Sequence, residues 1–248
     1  MVKLNSLDPE GVAVVFGSSG GIGKGFVSAL SDSNHFGSLI GFSRRGSFTI
    51  DFKDEATIER AAKTVEKVGN IRLAVDATGF LHDEHHYPEK SWRDLNTKNL
   101  AHSFLINAIG PALLIKHFLP KMPRSGKSVF ATLSARVGSI GDNHLGGWYG
   151  YRASKAALNQ IVRSASIELA RRSPDAICVA LHPGTVDTPL STPFAKSQLD
   201  ITTPAEAAVN LLKVLDTLDK NDNGAFFDCS GKSVPCLLYT SPSPRDRG

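Results

Sequence analysis

The sequence is poor in cysteine and has no long apolar run. Its three cysteines, Cys178, Cys229 and Cys236, form no CxxC pair, and their odd number excludes a disulfide scaffold and indicates a reducing compartment. No apolar run approaches the roughly 20 residues that a membrane helix requires, and the amino end lacks a basic segment followed by an apolar one. We therefore expect a cytoplasmic protein with no membrane partner.

Blocks of one charge are also absent. The formal net charge is +4, but basic and acidic residues are interspersed, so no nucleic-acid partner is expected. Hydrophobic residues make up 41% and charged residues 21% of the 248 positions, as in folded globular proteins. This length suits one large domain, which we place at residues 1–235.

The carboxyl end differs in character from the rest of the chain. From Cys236 onwards, the segment CLLYTSPSPRD resembles the translation of a sequencing adapter, and residues 236–248 are interpreted as a non-native tail. The preceding segment breaks off at Pro235, so we expect the native carboxyl terminus to be missing.

Apolar, β-rich segments alternate with helical ones along the whole chain. Strands that are hydrophobic throughout are typical of buried parallel strands, and the alternation predicts crossover helices on both faces. We expect an α/β fold with a Rossmann-type, doubly wound parallel sheet of about seven strands, whose ligand lies beyond the carboxyl ends of the strands. The predicted strands include GVAVVFG, SLIGFS, IRLAVDATG, SVFATLS, AICVALHPG and AFFDCS.

A glycine-rich turn joins the first strand to the first helix. Without side chains the backbone can approach a phosphate closely, and a helix amino terminus offers free N–H groups and a favourable dipole. A plain turn is one alternative; a nucleotidase phosphate loop is another, but Gly25 stands where its metal-binding Ser or Thr should be. The predicted cofactor-binding residues are Gly17, Ser18, Ser19, Gly20, Gly21, Ile22 and Gly23.

The second strand ends at Phe42, Ser43 and Arg44. An acidic residue at this point would bind the ribose 2′-hydroxyl of NAD, whereas a basic one can pair with the 2′-phosphate of NADP. Ser43 occupies the acidic position and Arg44 follows it, which favours NADP(H) over NAD(H). The alternative is a solvated pair of surface arginines.

Tyr151 and Lys155 are four residues apart at the start of a predicted helix, so both lie on one face. A cation near a phenol favours the phenolate and lowers the phenol's pKa towards the range useful for acid–base chemistry. We therefore predict that Tyr151 and Lys155 are catalytic.

Two motifs resemble those of short-chain dehydrogenases/reductases. The spacing Gly17-x-x-x-Gly21-x-Gly23 is similar to the TGxxxGxG signature, with Phe16 in place of Thr, and YRASK is similar to the active-site YxxxK. Within the family, LSARVGSIGDN and GGWYGYRASKAALN most resemble the C-factor and sniffer-type carbonyl reductases. The resemblance extends from about residue 12 to residue 227.

The resemblance implies further site residues. The catalytic hydroxyl would come from Ser134, or from Ser139, because Ala135 stands where the family often has Ser. Asn107 would hold a water in the proton relay, or else merely bond a neighbouring backbone. Asp76 replaces the family's sheet-stabilising Asn. Further cofactor contacts would come from Asp51, Phe52, Ala77, Thr78, Gly79, Pro183, Gly184, Val186 and Thr188.

The function that the resemblance implies is NADPH-dependent reduction of a small-molecule carbonyl to an alcohol. One alternative is an NADP-binding signalling or sensor protein with little turnover; another is an NAD-linked alcohol dehydrogenase. The substrate pocket would be formed by residues 145–148 and 190–197. A homodimer or homotetramer is expected, as is common in the family.

The loop segment His82 to His86, HDEHH, contains residue types that bind metals. Metal ligands must converge on one point, and adjacent residues in a polar loop rarely do. We therefore predict a solvated loop and no metal site.

Overall fold

The computed structural model of the protein describes residues 1–194 and 201–236. The strands are β1 Val12–Phe16, β2 Ser38–Phe42, β3 Ile71–Asp76, β4 Ser128–Leu133, β5 Ala176–His182, β6 Thr185–Val186, β7 Ile201–Thr202 and β8 Phe226–Asp228. Within the described residues, six of them form one parallel sheet in the order β2-β1-β3-β4-β5-β8, and β6 and β7 form a separate pair. The predicted doubly wound fold is confirmed.

The order of strands changes direction between β1 and β3. The chain runs outwards from β1 to β2 and then crosses to the other side of β1 to form β3. In an open parallel sheet, the crevice beyond the carboxyl ends of such strands is where ligands bind. The glycine-rich turn follows β1, and residues 77–79 follow β3, so both lie at this crevice.

The helices cover both faces of the sheet. They are α1 Gly21–Ser33, α2 Glu55–Val68, α3 Thr97–Phe104, α4 Gly110–Phe118, α5 Tyr149–Arg172 and α6 Pro204–Thr217. Alternate residues of each strand point to opposite faces. Thus Val12, Val14 and Phe16 join a core with α2, α4 and α5, whereas Ala13 and Val15 join a core with α1 and α6.

Local sequence determines where several helices begin. At α6, the Thr203 hydroxyl accepts from the Glu206 N–H and the Glu206 carboxylate accepts from the Thr203 N–H, with Pro204 in the first turn. This capping box satisfies two amide groups that a helix end leaves unpaired. At α2, the Asp54 carboxylate accepts from the Ala56 N–H. The start of α1 has no side-chain cap.

Helices α3 and α4 are joined by a π-helical turn, Leu105–Ile109. The combined segment Thr97–Lys121 has 25 residues and, by length and composition alone, is apolar enough to cross a membrane, unlike what the sequence analysis expected. In the fold it packs between α2 and α5, and Leu114 and Phe118 are fully buried. It is therefore part of the core of the α/β domain.

Candidate active site

Two glycines of the glycine-rich turn occupy positions that admit no side chain. Gly17 has φ +74°, and a Cβ on Gly23 would lie 2.0 Å from the Gly17 carbonyl oxygen. The uncapped amino terminus of α1 follows directly. A glycine-rich backbone turn that leads into a helix amino terminus without a side-chain cap fits a pyrophosphate. The residues present therefore suit the nucleotide that the sequence analysis predicted.

The end of β2 is fixed to this turn. Both the Ser18 N–H and the Ser18 hydroxyl donate to the Phe42 carbonyl, at 3.0 and 3.1 Å. The buried Ser43 hydroxyl donates to the Arg45 carbonyl, and Arg44 is exposed beside it. The exposed Arg44 guanidinium is thus available at the rim of the crevice, next to the glycine turn.

The residues predicted to contact adenine, Asp51 and Phe52, lie between β2 and α2. Asp51 accepts the Lys53 N–H at 2.9 Å through its carboxylate, which fixes the turn into α2. The Phe52 ring packs against Gly110, where a Cβ would lie 2.1 Å from it. The backbone at Gly110 therefore sets how closely the loop after β2 can approach α4.

Asp76 bridges two strands at the floor of the crevice. One carboxylate oxygen accepts from the Thr78 N–H at 3.0 Å and from the Thr78 hydroxyl, and the other accepts from the Thr132 hydroxyl at 2.7 Å. The bond from the Thr132 hydroxyl to the Asp76 carboxylate thus joins β3 and β4, at the position where the sequence analysis expected a sheet-stabilising Asn. Burial raises the pKa of Asp76, and these hydrogen bonds together with Lys155 oppose the rise.

Asn107 lies in the π-helical turn and is completely buried. Its side chain accepts from the Phe80 N–H and donates to the Phe80 carbonyl, both at 2.8 Å, and also donates to the Ser154 hydroxyl at 3.2 Å. The side chain therefore bonds a neighbouring backbone, the alternative given for it above. Because Pro111 has no N–H, the Asn107 carbonyl lacks the donor that residue i+4 supplies in an α-helix.

Tyr151 and Lys155 lie one turn apart on α5, as predicted. The Lys155 ammonium is 6.0 Å from the centre of the Tyr151 ring and donates to the Leu133 carbonyl at 2.8 Å. Burial lowers the pKa of Lys155 to about 8, which Asp76 opposes. Burial also raises the pKa of Tyr151 to about 12, opposite in direction to the effect predicted for a neighbouring cation. Without a bound nucleotide, desolvation of the Tyr151 phenol outweighs the effect of the Lys155 charge on its pKa.

The two candidate serines have different surroundings. Ser134 follows β4, is 4% exposed and lines the cavity beside Tyr151, while its hydroxyl donates to the Asn159 amide oxygen at 2.7 Å. The Ser139 hydroxyl donates to the Pro235 carbonyl at 2.5 Å, and Ser139 does not line the cavity. Of the two hydroxyls, that of Ser134 is the one near Tyr151.

The amino end of α5 has an unusual backbone. Gly146, Gly147 and Trp148 are consecutive left-handed residues, with φ of 63°, 63° and 52°. Trp148 occupies the N-cap position but gives no side-chain bond. The buried Glu89 caps the helix instead. The Glu89 carboxylate accepts from the Gly150 N–H at 3.0 Å, and the Glu89 backbone carbonyl accepts from the Trp148 N–H at 2.5 Å. Sequence analysis missed Glu89, since only the folded loop brings it to this helix end.

A cavity of about 490 Å³ connects these parts. It extends from Ile22 at the glycine turn to Tyr151, and Trp148 and Phe194 stand edge to face over it, with ring centres 5.3 Å apart. Burial lowers the pKa of His182, another lining residue, to about 4, so its ring is neutral at pH 7. Predicted residues that line the cavity are Ile22, Ser134, Leu145, Trp148, Tyr151, Pro183, Gly184, Val186, Thr188, Leu190, Ser191 and Phe194. Residues 195–197 of the predicted pocket and 237–248 of the predicted tail lie outside the described residues.

The fold and the site together define a class of protein. A doubly wound sheet, a glycine-rich turn before an uncapped helix, and a phenol one helical turn from a buried ammonium are what a nicotinamide-nucleotide oxidoreductase requires. The chain matches the family model described as enoyl-(acyl carrier protein) reductase over residues 10–226. It belongs to the short-chain dehydrogenase/reductase family.

Similar proteins agree with this assignment. The chain is 39% identical to the C-signal protein of Myxococcus xanthus over 143 residues, which are 57% of this chain and 81% of that protein. The NADPH-bound carbonyl reductase from chicken fatty liver has 26% identity and a TM-score of 0.80, covering 95% of this chain and 98% of that one. The carbonyl reductase Sniffer of D. melanogaster, at 22% identity, shares the fold with a TM-score of 0.78, covering 91% of this chain and 99% of that one. The chain is an NAD(P)-dependent oxidoreductase of this family and is related to the C-signal protein.

Proposed function

We propose that the protein reduces an aldehyde or ketone to an alcohol with NADPH. The observation that carries the proposal is the position of Tyr151 and Ser134 in a cavity that continues to the glycine turn. Gly17 to Gly23 would hold the pyrophosphate, Asp51 and Phe52 the adenine end, and Ala77 to Gly79 the middle of the nucleotide. Pro183, Gly184, Val186 and Thr188 would contact the nicotinamide end.

NADP(H) is preferred over NAD(H) in this proposal. The support is Arg44, exposed at the end of β2, where no carboxylate precedes it. A guanidinium can pair with a 2′-phosphate, and the carbonyl reductase from chicken fatty liver was solved with NADPH. An NAD-linked alcohol dehydrogenase is the contrasting hypothesis, and the dissociation constants for NADPH and NADH distinguish the two.

The chemistry follows from the state of each side chain. When bound, NADPH supplies a hydride to the carbonyl carbon. Tyr151 donates its phenolic proton to the carbonyl oxygen, and its raised pKa keeps that proton in place at neutral pH. Lys155 stabilises the phenolate that remains. Ser134 orients the carbonyl oxygen, and a water on the Asn107 carbonyl returns a proton from solvent.

The substrate is an apolar carbonyl compound in this proposal. The walls over Tyr151 are largely hydrophobic or aromatic, with Leu145, Trp148, Leu190 and Phe194 among them. Cavities of this kind bind apolar ligands and use a few polar groups to orient them. Aldehydes, quinones and diketones are suitable first candidates.

An NADP-binding signalling protein is the second candidate function. The 39% identity to C-signal favours it, and so does Ala135 where the family often has Ser. Absorbance at 340 nm measures NADPH oxidation with each carbonyl compound, and quenching of tryptophan fluorescence measures NADPH binding. The enzyme hypothesis expects binding with consumption; binding without consumption of NADPH across the panel would favour the sensor.

The assembly and location are proposed as well. We infer a homodimer or homotetramer formed through α4 and α5, because Ile109, directly before α4, and Ile167 on α5 are about half exposed. Light scattering on the purified protein tests this. A cytoplasmic location is consistent with the free thiols of Cys178 and Cys229.

A further inference from the structure

Three metal-ligating side chains converge beside the active site. Asp83 and His86, in the loop after β3, and His102 on α3 have ligand atoms that all lie within 4.8 Å of one another. The expectation that neighbouring residues of this loop do not converge is wrong for Asp83 and His86, because a tight turn folds one back on the other. Sequence analysis did not identify His102.

The turn fixes the Asp83 carboxylate in place. One of its oxygens accepts the N–H groups of His85 and His86, each at 2.8 Å, and the same oxygen is 2.8 Å from Nδ1 of His86. The carboxylate is therefore oriented before any ligand arrives. Its side chain is 43% exposed, so an ion can enter from solvent.

The two imidazoles lie against each other. The rings of His86 and His102 stack with centres 4.7 Å apart and an interplanar angle of 12°. Within the described part of the chain, the His102 ring has no hydrogen-bond partner, and burial lowers its pKa. Two imidazoles and an oriented carboxylate form a donor set that suits Zn²⁺ and similar ions.

We propose that Asp83, His86 and His102 bind one divalent transition-metal ion of the zinc type, with water in the remaining positions. Metal–ligand distances of about 2.0–2.2 Å place two ligand atoms at most about 4.4 Å apart. The three ligand atoms already lie within 4.8 Å of one another, so small side-chain rotations are enough to close the site around an ion.

The bound ion would fasten the loop after β3 to α3. This loop includes Phe80, whose ring is edge-on to His102 at 4.4 Å and whose peptide groups are bonded by Asn107. It also includes Glu89, which caps α5. A more stable loop would therefore hold in place both the Asn107 side chain and the start of α5, which carries Tyr151. The ion itself takes no part in the reaction.

The test uses the full chain without a histidine tag and without nucleotide. Calorimetric titration with ZnCl₂, Co²⁺ absorption in the visible range, and thermal melting with Zn²⁺ or EDTA report binding independently of activity. We expect one strong site, a Co²⁺ band and a higher Tm with Zn²⁺. His102→Ala should weaken binding at least about tenfold, since even outer partners of metal ligands contribute about 10–100-fold.

Matched variants make the result decisive. His85→Ala removes an exposed imidazole of the same loop and should bind Zn²⁺ as the wild type does. Asp83→Asn serves as a second ligand variant if circular dichroism shows that His102→Ala is unfolded. The proposal is overturned if the wild type shows no site tighter than about 100 μM, if the ligand variants bind as the wild type does, or if His85→Ala loses as much affinity as they do.

Discussion

Glu89 holds the start of the active-site helix, and its removal has a calculable effect. The carboxylate is 4% exposed and accepts the Gly150 N–H at 3.0 Å, while the N-cap residue Trp148 offers no side-chain bond. Losing a hydrogen bond to a charged acceptor costs about 1.5–3 kcal/mol. For a domain of this size, about 1 kcal/mol corresponds to roughly 2–4 °C in Tm, so Glu89→Ala should lower Tm by about 3–12 °C.

Glu89→Gln separates the hydrogen bond from the charge. The amide oxygen can still accept from Gly150, so only the interaction of a negative charge with the helix dipole is lost, about 0.3–2 kcal/mol. Glu84→Ala, which changes an exposed acidic residue of the same loop, should leave Tm within about 2 °C, since surface substitutions usually change stability by no more than about 0.5 kcal/mol. Thermal melting followed by circular dichroism measures all three. The capping role is refuted if Glu89→Ala has the same Tm as the wild type, or if Glu84→Ala lowers Tm by as much as Glu89→Ala does.

Two further predictions concern charge. Protonated Lys155 is required in the proposed mechanism, so kcat/KM for reduction should fall as pH rises through about 8. Asp76 opposes the lowering of that pKa, so Asp76→Asn should move the fall to lower pH; a pH profile unchanged in this variant would contradict the coupling. Arg44→Ala should weaken NADPH binding about 10- to 100-fold, the value of a hydrogen bond to a charged group, and leave NADH binding unchanged. Equal losses for both nucleotides, measured by fluorescence titration, would exclude recognition of the 2′-phosphate.

The parts of the fold that follow from local pattern were predictable. Strands that are buried on both faces consist of apolar residues throughout, as VAVVF does at β1. The start of α1 could be predicted because the glycine-rich turn comes directly before it. The spacing of Tyr151 and Lys155 fixes their common helix face without any knowledge of the rest of the chain. These features depend on residues close together in sequence.

The missed features depend on contacts between distant segments. Glu89 caps a helix that begins 60 residues later, and His102 meets Asp83 and His86 only because the loop folds onto α3. The pKa of Tyr151 was predicted from one neighbour, whereas burial by the whole domain determines its direction. Such effects arise from packing, which a pattern along the chain does not contain.

The most direct test of the proposed reaction compares two neighbouring tyrosines. In Tyr151→Phe the proton donor is lost, and single-turnover NADPH oxidation with a good carbonyl substrate should slow by about 10²–10⁴-fold, while the dissociation constant for NADPH stays nearly unchanged. Tyr149→Phe, on the same helix but outside the cavity lining, should react like the wild type. Wild-type rates in Tyr151→Phe, or equal losses in both variants, would contradict proton transfer from Tyr151.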